Sequence, residues 1–238
     1  MLLPTSCPVC GALGPAPCSS CARALAPAPA LPRPPGVDSC ASAFAYAGAG
    51  RELVARVKYR NARAAVPWLA GRMAAAFGAA EVDAVTWAPT SAVRRRQRGF
   101  DQARLLARAV ARRVGVPCRA LLRRRPGPAQ TGRSRAERRE GPSFAARGPV
   151  PARVLLVDDV VTTGGTVAAA ARALRQAGAT EVHVLVAART PAPGASGADV
   201  HFGGQARQEG VRWTSPSSAA TPRSPSLCGP RHARRSSA

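Results

Sequence analysis

Residues 154–166, VLLVDDVVTTGGT, run four apolar side chains straight into two adjacent aspartates, then into threonines and glycines. A short, continuous apolar run suits a strand buried on both faces of a parallel sheet. Asp158 and Asp159 repel each other and are costly to desolvate, so a chain that puts them at the end of such a strand must neutralise or use them. In an open parallel sheet ligands bind beyond the carboxyl ends of the strands, and Val154 to Val157 deliver both acids to that edge. Thr162, Thr163, Gly164, Gly165 and Thr166 then bend into the N-terminus of a helix. Free N–H groups, the positive helix end and three hydroxyls make a cradle for a phosphate monoester, and the glycines let backbone approach its oxygens. Carboxylates beside such a cradle suit a hydroxylated sugar, because they accept hydrogen bonds from vicinal ribose hydroxyls. They can also bind Mg2+ directly or through water.

The flanking chain supplies the rest of an α/β fold. RVLLVDDV reads as a strand, GTVAAAARALRQAG as a helix ended by Gly178, and EVHVLVAART as another strand. That order makes a right-handed βαβ unit. Upstream, ASAFAYAG (41–48) alternates weakly as a strand would, and Leu53, Val54, Val57, Leu69 and Met73 recur at helical spacing, with Pro67 tolerated at a helix start. VDAVTWAPT (82–90) reads as a short strand ending at Pro89. The helix after it places Leu105, Leu106, Ala109 and Val110 on one face and closes at Gly115. His183 lies in a strand and reads as a packed histidine.

Ahead of this domain stands CPVCGALGPAPCSSC, in which Cys7, Cys10, Cys18 and Cys21 form two C-x-x-C pairs. Two such pairs complete a tetrahedral four-thiolate shell for Zn2+, and a shell with no open position is structural. Few core-forming residues lie between them, so the metal must supply most of the folding free energy. Redox C-x-x-C pairs are the alternative. Residues 1–25 are therefore expected to form a zinc finger, 26–36 a proline-rich linker or irregular wrap, and 37–190 the α/β domain. From 191 to 238 periodicity is lost among Ser, Pro, Gly and Arg, which predicts a disordered tail.

Formal charge is +23, and +14 of it falls within residues 94–139, where sixteen Arg face only Asp101 and Glu137. Such concentration points to a polyanionic ligand. Residues 123–148 show no period and read as a long exposed loop. No stretch approaches the ~20 apolar residues of a membrane span, and the start lacks the pattern of a secretory signal. With Cys40, Cys118 and Cys228 as an odd remainder, a reducing cytoplasm is the expected compartment.

The thirteen-residue stretch resembles the phosphoribosyl pyrophosphate (PRPP) signature of type I phosphoribosyltransferases. YAGAGRELVARVKY (46–59), APTSAVRRRQRGFDQARLLARAVA (88–111), RRRPGPAQTGRSRAERREGPSFA (123–145) and the four-cysteine finger are similar to successive motifs of the ComF family, phosphoribosyltransferase-like proteins associated with DNA uptake. The resemblance covers residues 7–190. It implies a type I phosphoribosyltransferase fold with an N-terminal zinc module. PRPP would be bound with Mg2+, Asp158 and Asp159 holding the ribose and Thr162 to Thr166 the 5′-phosphate. It implies that Thr90, Ser91, Arg94, Arg95, Arg96 and Arg98 form a pyrophosphate loop, and that Arg123 to Arg125, Gln130, Arg133 and Arg138 lie on a loop closing over the site. A solvated charged face is the other reading of that second loop.

Thr162 stands where 6-oxopurine salvage enzymes of this fold carry a carboxylate base, which argues against hypoxanthine or guanine as acceptor. No residue identifies the acceptor, and no catalytic residue is assigned. Lys58, the only lysine, has two readings: it reaches a phosphate or a partner, or it caps a helix. The competing view of the whole chain is a catalytically inactive scaffold, or a PRPP-responsive regulator, whose finger and arginine-rich loops bind single-stranded DNA or DNA-uptake and recombination proteins.

Overall fold

The structure, a computed structural model, describes residues 5–30, 32–59, 62–78, 80–125 and 142–191. In chain order these give α1 (Ser19–Arg23), β1 (Ser39–Ala45), α2 (Gly48–Tyr59), a 3-10 turn (Arg63–Ala65), α3 (Val66–Phe77) and β2 (Ala84–Trp87). There follow α4 (Ala92–Arg98), α5 (Gln102–Val114), β3 (Leu122–Arg124), β4 (Phe144–Ala146), β5 (Arg153–Val161), α6 (Gly165–Gln176) and β6 (Glu181–Arg189).

Four strands pair in the order β1-β6-β5-β2, every pair parallel. Both faces of this sheet are covered. Leu155 and Val157 join the core beneath α2, α3 and α5, while Val154 and Leu156 join the core beneath α6. All four are fully buried, which is why β5 carries no polar alternation before its acids. β5, α6 and β6 form the expected unit, with β5 and β6 adjacent.

Helix α5 shows how sequence sets position. Asp101 caps its start by accepting from the Arg104 N–H at 3.3 Å, and Gly115 ends it with φ of 75°. Of the expected face Leu106, Ala109 and Val110 are buried and Leu105 is half-covered, while the buried face is wider than expected and takes in Gln102, Ala103, Ala107 and Ala111. The alanines allow α5 to lie close on β2 and β5, so small side chains rather than Leu105 define the contact. Pro67 occupies the first turn of α3 as expected. His183 is buried, 2.8 Å from Ser39 Oγ and edge-on to the Phe77 ring.

Residues 123–148 are not a loop throughout. β3 and β4 pair antiparallel, with Leu122 opposite Ala146 and Arg124 opposite Phe144. Leu122 and Phe144 are buried in the α6-side core, and that burial is what the arginine-rich composition concealed. Gln130, Arg133 and Arg138, and the tail beyond Pro191, lie outside the described residues.

The proline-rich segment is tied to the sheet at several points. The Ala45 N–H donates to the Ala26 carbonyl at 3.0 Å, and the Arg189 guanidinium donates to the Pro32 carbonyl. Pro34 is buried against Gly164: a Cβ on that glycine, whose φ is +81°, would stand 3.1 Å from Pro34 Cγ. Gly164 therefore serves two needs, left-handed backbone and room for a neighbour.

Candidate functional site

The two aspartates sit in a notch made by unequal strand lengths. β2 stops at Trp87, opposite Val157, and Ala88 N–H gives the last bond on that side, to the Val157 carbonyl at 3.2 Å. β5 runs on to Val161 paired with β6 alone, Asp158 opposite Val186 and Val160 opposite Ala188. The acids thus lie within the strand rather than at its end. A cavity of roughly 300 Å³ occupies the vacated space.

Neutralisation comes from three directions. Lys58, in the last turn of α2, places Nζ 2.8 Å from Asp159 Oδ1, with both side chains largely covered. The sole lysine of the chain is thus an internal counter-ion, and neither reading taken from the sequence named that partner. Arg94 and Arg98 reach the cavity from α4, and Arg124 from β3. Burial pushes the Asp158 carboxyl well above the usual carboxylate range, and Asp159 pushes the same way. Lys58 and the Asp159 N–H, which donates to Asp158 Oδ1 at 2.8 Å, act against them. Asp101 is a third carboxylate in the same cavity, likewise raised mainly by burial; it accepts from the Thr90 N–H at 3.1 Å. Burial and the nearby Arg94 lower the Arg124 guanidinium, and Asp158 partly offsets them.

The arginines expected on a loop are on a helix. Ser91 Oγ accepts from the Arg94 N–H at 3.3 Å and so caps α4, which ends at Gly99 with φ of 75°. Helical spacing sorts the basic residues. Thr90, Arg94 and Arg98 line the cavity, whereas Ser91, Arg95 and Arg96 do not. Arg98 is held in place: it donates to Gln102 Oε1 and to the Tyr59 hydroxyl, each at 3.0 Å, with its guanidinium 4.6 Å from the Tyr59 ring centre. Gln102 is fully buried and donates through Nε2 to the Lys58 carbonyl at 3.0 Å. One buried amide therefore joins the arginine of α4 to the lysine of α2. From the other side, Thr162 and Thr166 line the cavity, while Thr163 and Gly165 are exposed and Gly164 is packed under Pro34. α6 starts immediately after, so its unpaired N–H groups lie at this turn.

Sequence reasoning missed Asp101, Gln102, Tyr46 and Tyr59 as members of the site. Asp101 carried a readable signal, an acidic residue just before an apolar helical period. Gln102 and the tyrosines carried none, because only the tertiary fold brings the turn before α2, the end of α2 and the start of α5 around one cavity.

The four cysteines converge separately. The Sγ atoms of Cys7, Cys10, Cys18 and Cys21 all lie within 4.8 Å of one another, and those of Cys10 and Cys18 are 3.7 Å apart. Four thiolates at ~2.3 Å from one zinc ion stand ~3.8 Å from each other, so the cluster fits a tetrahedral ion. Burial raises the Cys7 thiol, but N–H groups of Cys18, Cys10 and Val9 outweigh it and bring it down to about 6. Burial and the three neighbouring sulfurs push Cys21 up to about 12. A bound cation would let all four sulfurs stand this close as thiolates.

The family described as the phosphoribosyl transferase domain matches residues 101–199. An orotate phosphoribosyltransferase of Nocardioides sp. (strain ATCC BAA-499 / JS614) is 56% identical over 55 residues, 22% of this chain and 27% of that protein. The competence protein ComFC of Streptococcus pneumoniae (strain ATCC BAA-255 / R6) is 36% identical over 97 residues, 40% of this chain and 42% of that one. The family match, the likeness to ComFC and the four-cysteine cluster fit a ComF-type protein. The family match and the parallel sheet flanked by helices give the chain a type I phosphoribosyltransferase domain, with a four-cysteine cluster near its N-terminus. Its match spans less than half the length of either curated relative. Among solved structures, the allosteric regulatory enzyme of purine biosynthesis superposes with a TM-score of 0.37 at 30% identity, covering 52% of this chain and 26% of that one. Among the described residues no helix is long and apolar enough to cross a membrane.

Proposed function

We propose that this ComF-type chain is a cytoplasmic protein that binds PRPP with Mg2+, carries structural Zn2+ on Cys7, Cys10, Cys18 and Cys21, and takes part in DNA uptake. The single observation that carries the PRPP reading is the gathering of Asp158, Asp159, Thr162 and Thr166 with Arg94, Arg98 and Arg124 around one cavity. The carboxylates accept hydrogen bonds from the ribose hydroxyls. Thr162 to Thr166 and the start of α6 hold the 5′-phosphate, and Thr90 with the three arginines holds the pyrophosphate. Mg2+ supplies charge neutralisation of that leaving group. If the site turns over, a nitrogen nucleophile bonds to ribose C1, the C1–O bond breaks, pyrophosphate leaves and the nitrogen gives up a proton. The DNA-uptake part rests on the likeness to ComFC.

Titration calorimetry of magnesium PRPP into the full chain tests the reading: saturable binding is expected, and its absence in folded, zinc-loaded protein sinks it. Pyrophosphate release across a panel of nitrogen acceptors then separates an enzyme from a PRPP sensor. A pH effect follows from Asp158. Free protein holds that proton above the ordinary range, while ribose binding needs the anion. Binding therefore releases a proton, and affinity rises with pH until Asp158 is ionised in the free protein. Calorimetry in buffers of different ionisation enthalpy reads the proton, with Asp158→Asn as the control. Equal apparent enthalpies for the native chain take Asp158 out of the ribose contact.

A second reading, binding of single-stranded DNA, is favoured by one observation. Arg104, Arg108 and Arg112 stand exposed at four-residue intervals along α5, and among the described residues none forms an ion pair with a carboxylate. DNA binding that weakens steeply with salt and is lost on replacing all three is the expected result.

A further inference from the structure

Lys58 stands apart from the other cations of the cavity. Arg94 and Arg98 come from the helix that follows Thr90, and Arg124 comes from the ribbon on the other face of the sheet. Lys58 comes from α2, and its ammonium is already committed, 2.8 Å from Asp159 Oδ1. Its surroundings fix it at three points. The carbonyl is held by the buried Gln102 amide, the Tyr46 ring lies 6.0 Å from Nζ, and the side chain is only 15% exposed. Asp159 is covered to the same degree, so neither group can turn to solvent without leaving the other charged and largely covered. Two more carboxylates, Asp158 and Asp101, crowd Asp159, and the arginines that line the cavity come from other elements.

We propose that Lys58 is a positioning residue for the ribose: it fixes Asp159 in the rotamer that meets the sugar hydroxyls, and makes no phosphate contact of its own. Asp159 uses Oδ1 for the ammonium and keeps Oδ2 for the ligand. This deepens the PRPP reading and rests on it. A lysine that instead gripped pyrophosphate would have to abandon Asp159, leaving three carboxylates in one cavity with no ammonium among them.

The test uses two partial ligands on the full chain, ribose 5-phosphate and magnesium pyrophosphate, titrated calorimetrically into the native protein, Lys58→Met, Asp159→Asn and the double variant. Lys58→Met is expected to weaken ribose 5-phosphate about 10- to 100-fold, the scale of one hydrogen bond to a charged group, while pyrophosphate changes by less than about threefold. The double variant is expected to bind ribose 5-phosphate no more weakly than Asp159→Asn, because Lys58 acts through that residue. Equal losses for both ligands, or additive losses in the double variant, would make Lys58 a direct phosphate ligand and overturn the proposal. Should Lys58→Met prove unfolded by circular dichroism, Lys58→Arg serves in its place: it keeps the charge but misplaces it, so the ribose ligand alone should weaken, and loss of the pyrophosphate ligand as well counts against the proposal. Native protein that binds neither ligand refutes the PRPP pocket itself, a different outcome from native binding with an indifferent Lys58.

Discussion

Replacing Asp158 and Asp159 together by alanine is expected to weaken magnesium PRPP binding by about a hundred- to ten-thousandfold while the chain stays folded. Each carboxylate accepts from a sugar hydroxyl, and a hydrogen bond to a charged group contributes on the order of 1.5–3 kcal/mol. Two opposing effects keep the change in stability small. Loss of Asp158 removes a carboxyl that folding forces into a setting where it resists ionisation. Loss of Asp159 strands the Lys58 ammonium, which is largely covered. Near cancellation is the expected result, with a melting midpoint within about 5 °C of the native value for a chain of this size. Calorimetric titration beside a thermal melt reads both quantities. Undiminished affinity in the double variant would falsify the pocket assignment; lost affinity in an unfolded variant would move the experiment to the asparagine pair.

Changing Cys10 to serine is expected to take bound zinc from about one ion per chain to nearly none, because the tetrahedral shell needs all four sulfurs. Apparent zinc affinities on the order of 10–16 kcal/mol are folding free energy in such modules, so residues 1–25 should lose protection from proteolysis and hydrogen exchange. The loss has a reach that the spacing of the cysteines does not reveal. Val9, Ala16 and Leu25 pack against the same apolar cluster as Leu53, Val54 and Val57 of α2. Melting of the finger therefore uncovers part of that cluster and should lower the midpoint of the whole chain. PRPP affinity should fall by no more than about threefold, since no finger residue lines the cavity. Metal analysis, exchange mass spectrometry and the same titration test the three parts. A variant that keeps its zinc would show that three sulfurs suffice, and abolished PRPP binding would make the finger part of the site.

How much of this was legible beforehand differs by element. The run from Val154 to Thr166 could be read almost residue by residue, since a doubly buried strand, paired acids and a glycine-bearing turn each leave a distinct mark. The cysteine spacing was equally direct. α4 was hidden because four arginines in seven residues masked a serine cap and a terminal glycine, both helix signals. The β3–β4 ribbon was hidden because each strand is three residues long and holds one large buried side chain, too little for a period to show. The inner shell of the site was the least accessible. Asp101, Gln102 and Lys58 line one cavity where the end of α2 meets the start of α5, more than forty residues apart in the case of Gln102 and Lys58, and no local pattern encodes such a meeting.

A chain with one lysine that stands inside its candidate site carries a built-in address for chemistry. An amine-directed reagent finds a single side-chain target, and finds it beside Asp159. A fluorophore, a spin label or a cross-linker placed there needs no engineered cysteine and no deletion of competing groups. Because arginine supplies all the rest of the basic side-chain charge apart from histidine, that address is unique.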